Sequence, residues 1–235
     1  MPRDFRNAPQ STPTQRPLPP EGLATARIFY VVDLGVQKEE FHDPKSKKIS
    51  ISHKSKIKLG FEFPSLIMPK EEGKPDNRCF AIFKEHTWSM NERSKFPPFC
   101  QAIFGPRFKV IEETHKGKTV RVGQLDGREF VFGDLLGVYL KASIAHTQPN
   151  ENGIKYANIV SVSEFPEPMP DDPPRFQRPA PRNPDVLFDL ENYDPKVFDV
   201  LYKWDQEKIR LSEEWEEMHK DDQPPVDDKQ DDLPF

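Results

Sequence analysis

Lys54, Lys56 and Lys58 alternate with apolar residues. On an extended strand they share one face, while Ile57, Leu59, Phe61 and Phe63 share the other. Lys45, Lys47 and Lys48 precede them in a polar stretch. Ammonium groups in such a row neutralise phosphates and release their counterions. Aromatic rings on the same surface stack on unpaired bases without regard to sequence, each contributing about 1–3 kcal/mol. Phe41, Phe83, Trp88, Tyr139 and Tyr156 are candidates, interleaved with Lys84, Lys141 and Lys155. Phe41 in its polar stretch and Tyr139 opposite an apolar face are expected to be exposed, whereas Phe61 and Phe63 are expected in the core. The plainer alternative for the lysine row is a solvated edge that deters aggregation.

Signals for catalysis are poor. Gly117-Lys118-Thr119 ends like a phosphate-binding loop, but that motif needs glycine at position 112, which is Glu112. There is no H-E-x-x-H, paired C-x-x-C or G-x-S-x-G. The six histidines show no i, i+4 pair. Carboxylates outside the C-terminal region show no pairing suited to two-metal chemistry. The chain is therefore expected not to be an enzyme and to need no metal or cofactor.

Charge is divided along the chain. Residues 1–165 carry 25 Lys and Arg against 19 Asp and Glu, a net of +6; residues 166–235 carry 9 against 20, a net of −11. A basic domain that meets a polyanion, joined to an acidic tail, fits this split. Hydrophobic residues are 35% and prolines 26 of 235, so a compact core filling the whole length is excluded. No apolar run reaches membrane-spanning length. Two cysteines, Cys79 and Cys100, cannot form a disulfide scaffold, which points to a reducing cytoplasm.

The elements that must position the lysines and rings are mostly strands. Residues 24–34 are β-branched and aromatic and stop at Gly35. Further strands are expected over 53–63, 79–88, 138–146 and 154–163, the last after the Asn152-Gly153 turn. A short helix capped by Ser89 or Asn91 lies between the third and fourth, with Pro97-Pro98 breaking or restarting it. An extra hairpin turns about Asp126-Gly127. The fold class is mainly β: a five-stranded oligonucleotide-binding (OB) type barrel with a helix between strands 3 and 4.

Around this domain, 22–165, the expected layout is a proline-rich disordered arm over 1–21 and a proline-rich linker over 166–185. A short helical appendage over 186–220 and an acidic disordered tail over 221–235 follow. In the appendage, Val197, Val200, Leu201 and Trp204 fall on one helical face, with Asp194 as cap and Pro195 in the first turn. A second helix starts at Ser212. These helices either pack back onto the barrel or serve as a detachable partner-binding element. In the tail, Asp227, Asp228, Asp231 and Asp232 precede Leu233, Pro234 and Phe235. A terminal ring and carboxylate suit an apolar pocket with a basic rim on a partner protein.

The peptide Asp231-Asp232-Leu233-Pro234-Phe235 resembles the acidic tip D-D-D-I-P-F of bacterial single-stranded DNA-binding proteins, with Leu for Ile. The segments 26–35, 56–64, 87–96, 135–146 and 155–163, and 199–215 near the C-terminus, resemble phage-encoded single-stranded DNA-binding proteins; "VVDLG" and "YANI" are the most distinctive. The resemblance implies an OB barrel that coats single-stranded DNA in phage replication, recombination and repair. The partners would be single-stranded DNA and replication or recombination proteins that read the tip, in the cytoplasm of a bacterial host, with no membrane. The rival reading is an adaptor or decoy that occupies the host receptor for the bacterial tip; a nuclease is the third.

Overall fold

The computed structural model describes residues 16–42, 47–70, 73, 77–115, 117–166 and 177–220. The chain is mainly β. Strands β1 (Gly22–His42), β2 (Ile49–Ile67), β3 (Cys79–Thr87), β7 (Tyr139–His146) and β8 (Ala157–Glu164) form one sheet in the order β3-β2-β1-β7-β8. A short strand β9 (Val186–Phe188) runs parallel to β1, pairing Tyr30 with Val186 and Val32 with Phe188. Strands β4 (Phe108–His115), β5 (Lys118–Leu125) and β6 (Arg128–Glu129) form a second, antiparallel sheet. All five expected strands of the main sheet are present, but they do not close into a barrel: β3 and β8 end the path. The second sheet exceeds the expected hairpin by β4.

The described residues divide into two compact units. The first takes those of Met1–Arg27, Phe61–Ile82 and Tyr139–Pro184; the second takes those of Ile28–Gly60, Phe83–Val138 and Asp185–Phe235. In the first, β1 and β7 pair antiparallel from Gly22↔Ile144 to Arg27↔Tyr139, and β7 pairs with β8 through a register shift at Ser143/Ile144. Alternation puts Leu140, Ala142 and Ile144 into the core, with Phe61 and Phe63 also fully buried. The expected Asn152-Gly153 turn forms: Asn150 Oδ1 accepts from the backbone N–H groups of Asn152 and Ile154.

In the second unit, helix α1 (Phe96–Phe104) begins with Pro97 and Pro98 in its first turn, after Ser94 accepts from the Phe96 N–H at 3.2 Å. The prolines therefore start the helix rather than break it, because their missing N–H groups fall where none is needed. Asp126 and Gly127 both have positive φ, the geometry of a tight β5–β6 hairpin. Strand β1 runs past the expected stop at Gly35, whose φ is +69°. A Cβ there would lie 2.6 Å from Glu214 Oε2 and from Ser212 Cβ, so glycine permits a close approach of the C-terminal segment.

That segment holds β9 and helices α2 (Pro195–Val200), α3 (Lys203–Ile209) and α4 (Glu213–Met218). Asp194 caps α2 through the Lys196 N–H and Ser212 caps α4 through the Trp215 N–H, as the sequence predicts. Phe188, Leu190, Phe198, Leu201 and Ile209 bury themselves with Phe29, Tyr30, Val32 and Leu34 of β1. The appendage is thus packed on β1. One expectation for it fails. Leu201 and Tyr202 are extended and separate α2 from α3, so the face that joined Val200 and Trp204 to Val197 and Leu201 does not exist. Val200 is 70% exposed and Trp204 56% exposed.

Candidate nucleic-acid interface

The lysine row of β2 lies in the second unit and splits in two. Lys54 and Lys56 share one carboxylate: their ammonium groups lie 2.6 and 2.5 Å from the two oxygens of Glu39 on β1. Hydrogen bonds from Lys54 and then Lys56 hold Glu39 far below the usual carboxylate range, at about 2. Lys56 also donates to Thr87 Oγ1 at 3.3 Å. Two cations thus share one anion at this point of the strand pair.

Lys58, the third member, is not at the surface. It is buried and donates to Asp205 Oδ1 of α3 at 2.5 Å. Asp205, 1% exposed, also accepts from the Tyr30 hydroxyl at 2.8 Å. Burial first, then Asp205, pushes the Tyr30 phenol upward, so it stays a donor. The pattern of alternation placed Lys58 on the face opposite Ile57 and Leu59; it contained no sign that α3 covers that face.

The C-terminal helices set further carboxylates on this strand pair. Glu213 contacts His53 of β2, Glu214 accepts from the Val36 N–H of β1 at 2.8 Å, and Glu216 lies 3.8 Å from Lys38. Lys208 of α3 pairs with Glu85 at 2.5 Å.

Among the predicted rings, Phe41 is 62% exposed at the end of β1 and Tyr156 is 54% exposed before β8. Tyr139 is half-buried: its hydroxyl donates to the Pro179 carbonyl at 2.6 Å and its ring lies near Phe165 and Arg178. Trp88 is packed against Phe96, Phe130 and Phe132, with centroids 4.9, 5.6 and 4.2 Å away. Phe83 packs edge-on against Tyr30. Lys141 donates to Thr25 Oγ1 at 2.9 Å and lies 4.6 Å from the Phe165 ring centre. Lys155 is exposed beside Tyr156, Lys84 is exposed on β3, and Lys47 and Lys48 are exposed before β2. Burial, then Lys95, lowers the Lys84 pKa. The second unit thus unites Lys54, Lys56 and Lys58, whereas Tyr139, Lys141, Lys155 and Tyr156 belong to the first. Lys45, Asp227, Asp228, Asp231, Asp232, Leu233, Pro234 and Phe235 lie outside the described residues.

The sequence reading missed one aromatic feature. Tyr202 and Trp204 stack at 4.8 Å with an interplanar angle of 11°, and both are exposed. Tyr202 rests edge-on against Phe83, and the Lys58 ammonium lies 5.2 Å from the Trp204 ring centre. The helical periodicity that grouped Trp204 with Val197, Val200 and Leu201 on one face concealed it.

Among the described residues no cluster of three or more His, Cys, Asp or Glu is placed to hold a metal ion, and no helix is long and apolar enough to cross a membrane. No family model matches the chain, and neither a curated protein nor a solved structure matches it.

Proposed function

We propose that the protein binds single-stranded DNA with little sequence preference and is one of the phage-encoded proteins that coat such strands during replication and recombination. The single observation that carries this reading is the pair Lys54 and Lys56 of β2, two ammonium groups that crowd the one carboxylate of Glu39 on β1. Phosphate groups can complete the neutralisation that Glu39 leaves unfinished, and the released counterions drive association. The path β3-β2-β1-β7 has the neighbour order of a Greek key, on which the OB barrel is built. The proposed architecture is accordingly an OB-type sheet left open between its end strands. The charge division of +6 and −11 supports the same reading, with the acidic segment kept for other proteins. Asp227, Asp228, Asp231, Asp232, Leu233, Pro234 and Phe235 recruit replication or recombination proteins in the host cytoplasm.

The test is affinity of the full chain for oligo-dT and for duplex DNA at two salt concentrations. Preferential binding of oligo-dT that weakens with salt is expected. The double variant Lys54→Ala/Lys56→Ala should flatten the salt slope by about 0.7, the one phosphate contact that two lysines against Glu39 leave open. A wild-type protein that ignores oligo-dT in dilute buffer refutes the reading; an unchanged slope in the double variant moves the contact to another face.

A further inference from the structure

Granting the single-strand-binding reading, we infer that Tyr202 and Trp204 form the platform on which an unpaired base stacks. Large rings at a protein surface normally turn one face onto the core. Here Trp204 is 56% exposed and Tyr202 40% exposed, yet the two are held parallel to within 11°. The pair is not loose. Tyr202 is braced edge-on by Phe83 at 5.3 Å and tilted against Tyr30 at 5.6 Å. The next residue, Asp205, is fixed by Lys58 and Tyr30. Rigid aromatic area of this kind binds with little loss of side-chain freedom.

The surroundings select the occupant. Lys58 and Asp205 neutralise each other beneath the rings, as do Lys208 and Glu85. Lys203 and Glu207, both exposed on α3, balance on the helix itself. On β2, Lys54 and Lys56 face the one carboxylate of Glu39, while the α4 carboxylates Glu213, Glu214 and Glu216 are taken up by His53, the Val36 N–H and Lys38. By strand geometry Lys56 lies about 7 Å along the same face from Lys58, and Lys54 about 7 Å further. A π-faced platform thus stands beside a short cationic track. That combination fits a chain of alternating bases and phosphates, and stacking on it is indifferent to base identity.

The experiment compares wild type, Trp204→Ala and Trp204→Phe for oligo-dT affinity at two salt concentrations. Trp204→Ala should bind about five- to 150-fold more weakly. Its salt slope should be unchanged, because stacking displaces no counterion. Trp204→Phe should recover much of the loss. If wild type binds and Trp204→Ala binds equally well, the platform is refuted while the function stands. If wild type does not bind, the function itself has failed. A loss of equal size in Trp204→Phe, or one that comes with a changed salt slope, also refutes stacking. As a readout that needs no truncation, the full chain labelled with fluorotryptophan has three fluorine resonances, from Trp88, Trp204 and Trp215. Oligo-dT should shift that of Trp204 most; a shift confined to the other two would overturn the assignment.

Discussion

Two buried charges lie four residues apart on β2, Lys58 in the second unit and Glu62 in the first, and they are held in different ways. Glu62 is fully buried and takes Arg27 at 2.9 Å. It also accepts from the backbone N–H groups of Arg182 and Asn183, at 3.2 and 2.8 Å, and from Asn183 Nδ2 at 2.8 Å. Lys58 has a single carboxylate, Asp205, carried by the helical appendage. A charge met by several donors, two of them backbone, is part of the frame. A charge met by one carboxylate on a short helix of the appendage is a latch. The former proline-rich linker is, at its described end, a structural ligand of Glu62, since Arg182 also donates to the carbonyls of Pro64 and Asn77.

The largest expected effect therefore follows Glu62→Gln. It would remove the carboxylate charge that the buried Arg27, 6% exposed at its side chain, meets at 2.9 Å, at a cost of about 3–5 kcal/mol in urea unfolding. Asp205→Asn should cost about 3 kcal/mol, and its first sign should be faster hydrogen exchange in α3. Adding Lys58→Met should recover most of that loss, because it removes the buried ammonium that Asp205→Asn deprives of its carboxylate. A global, cooperative loss in Asp205→Asn as large as that of Glu62→Gln would erase the distinction between latch and frame.

Acid should probe the second unit through two groups with opposite signs. His86, buried between Phe96 and Phe99, is lowered to about 4 by burial and then by Lys84. The unfolded chain takes up this proton near pH 6.5 and the folded one does not. Stability from neutral His86 is complete above pH 6.5 and is lost as pH falls to 4, a change of about 3 kcal/mol. Asp33 is raised to about 6 by burial, so its contribution is complete below about pH 4 and is lost as pH rises to 6. Urea unfolding between pH 4 and 7 should show His86→Phe removing the loss on acidification, and Asp33→Asn removing the opposing trend. A His86→Phe variant with the wild-type pH profile would place the acid sensitivity elsewhere.

The smallest expected effect is on binding. Glu39→Gln releases the ammonium groups of Lys54 and Lys56 from their shared carboxylate, and should steepen the salt slope for oligo-dT by up to about 0.7, one added charge. A shallower slope would show that Glu39 orients the lysines for phosphate rather than competing with it.

Local rules were enough for the five expected strands of the main sheet and for two turns. The alternation of Ile57, Leu59, Phe61 and Phe63 marked their core face, and all four are fully buried. Asp126-Gly127 and Asn152-Gly153 marked real turns, because Asp126, Gly127 and Gly153 all take positive φ, which glycine and short polar side chains tolerate best. Asp194 and Ser212 marked helix starts because their side chains meet N–H groups only two or three residues ahead. Strand β4 escaped because Glu112 and Glu113 interrupt any apolar alternation, and its pairing with β5 is what holds it extended.

The candidate site was less legible. The residue types of Lys54, Lys56 and Lys58 and their shared face followed from spacing two apart. What became of them depended on residues far along the chain: Asp205 reaches Lys58 across 147 positions, and Tyr202 and Trp204 reach Phe83 and Lys58 from that same remote segment. Sequence thus determined which groups this protein has and which side of a strand each takes, since backbone sterics and a period of two or 3.6 act over a few residues. Tertiary structure alone decided which lysine is buried and which ring is open. Those outcomes are set by burial and charge pairing between segments that only folding brings together.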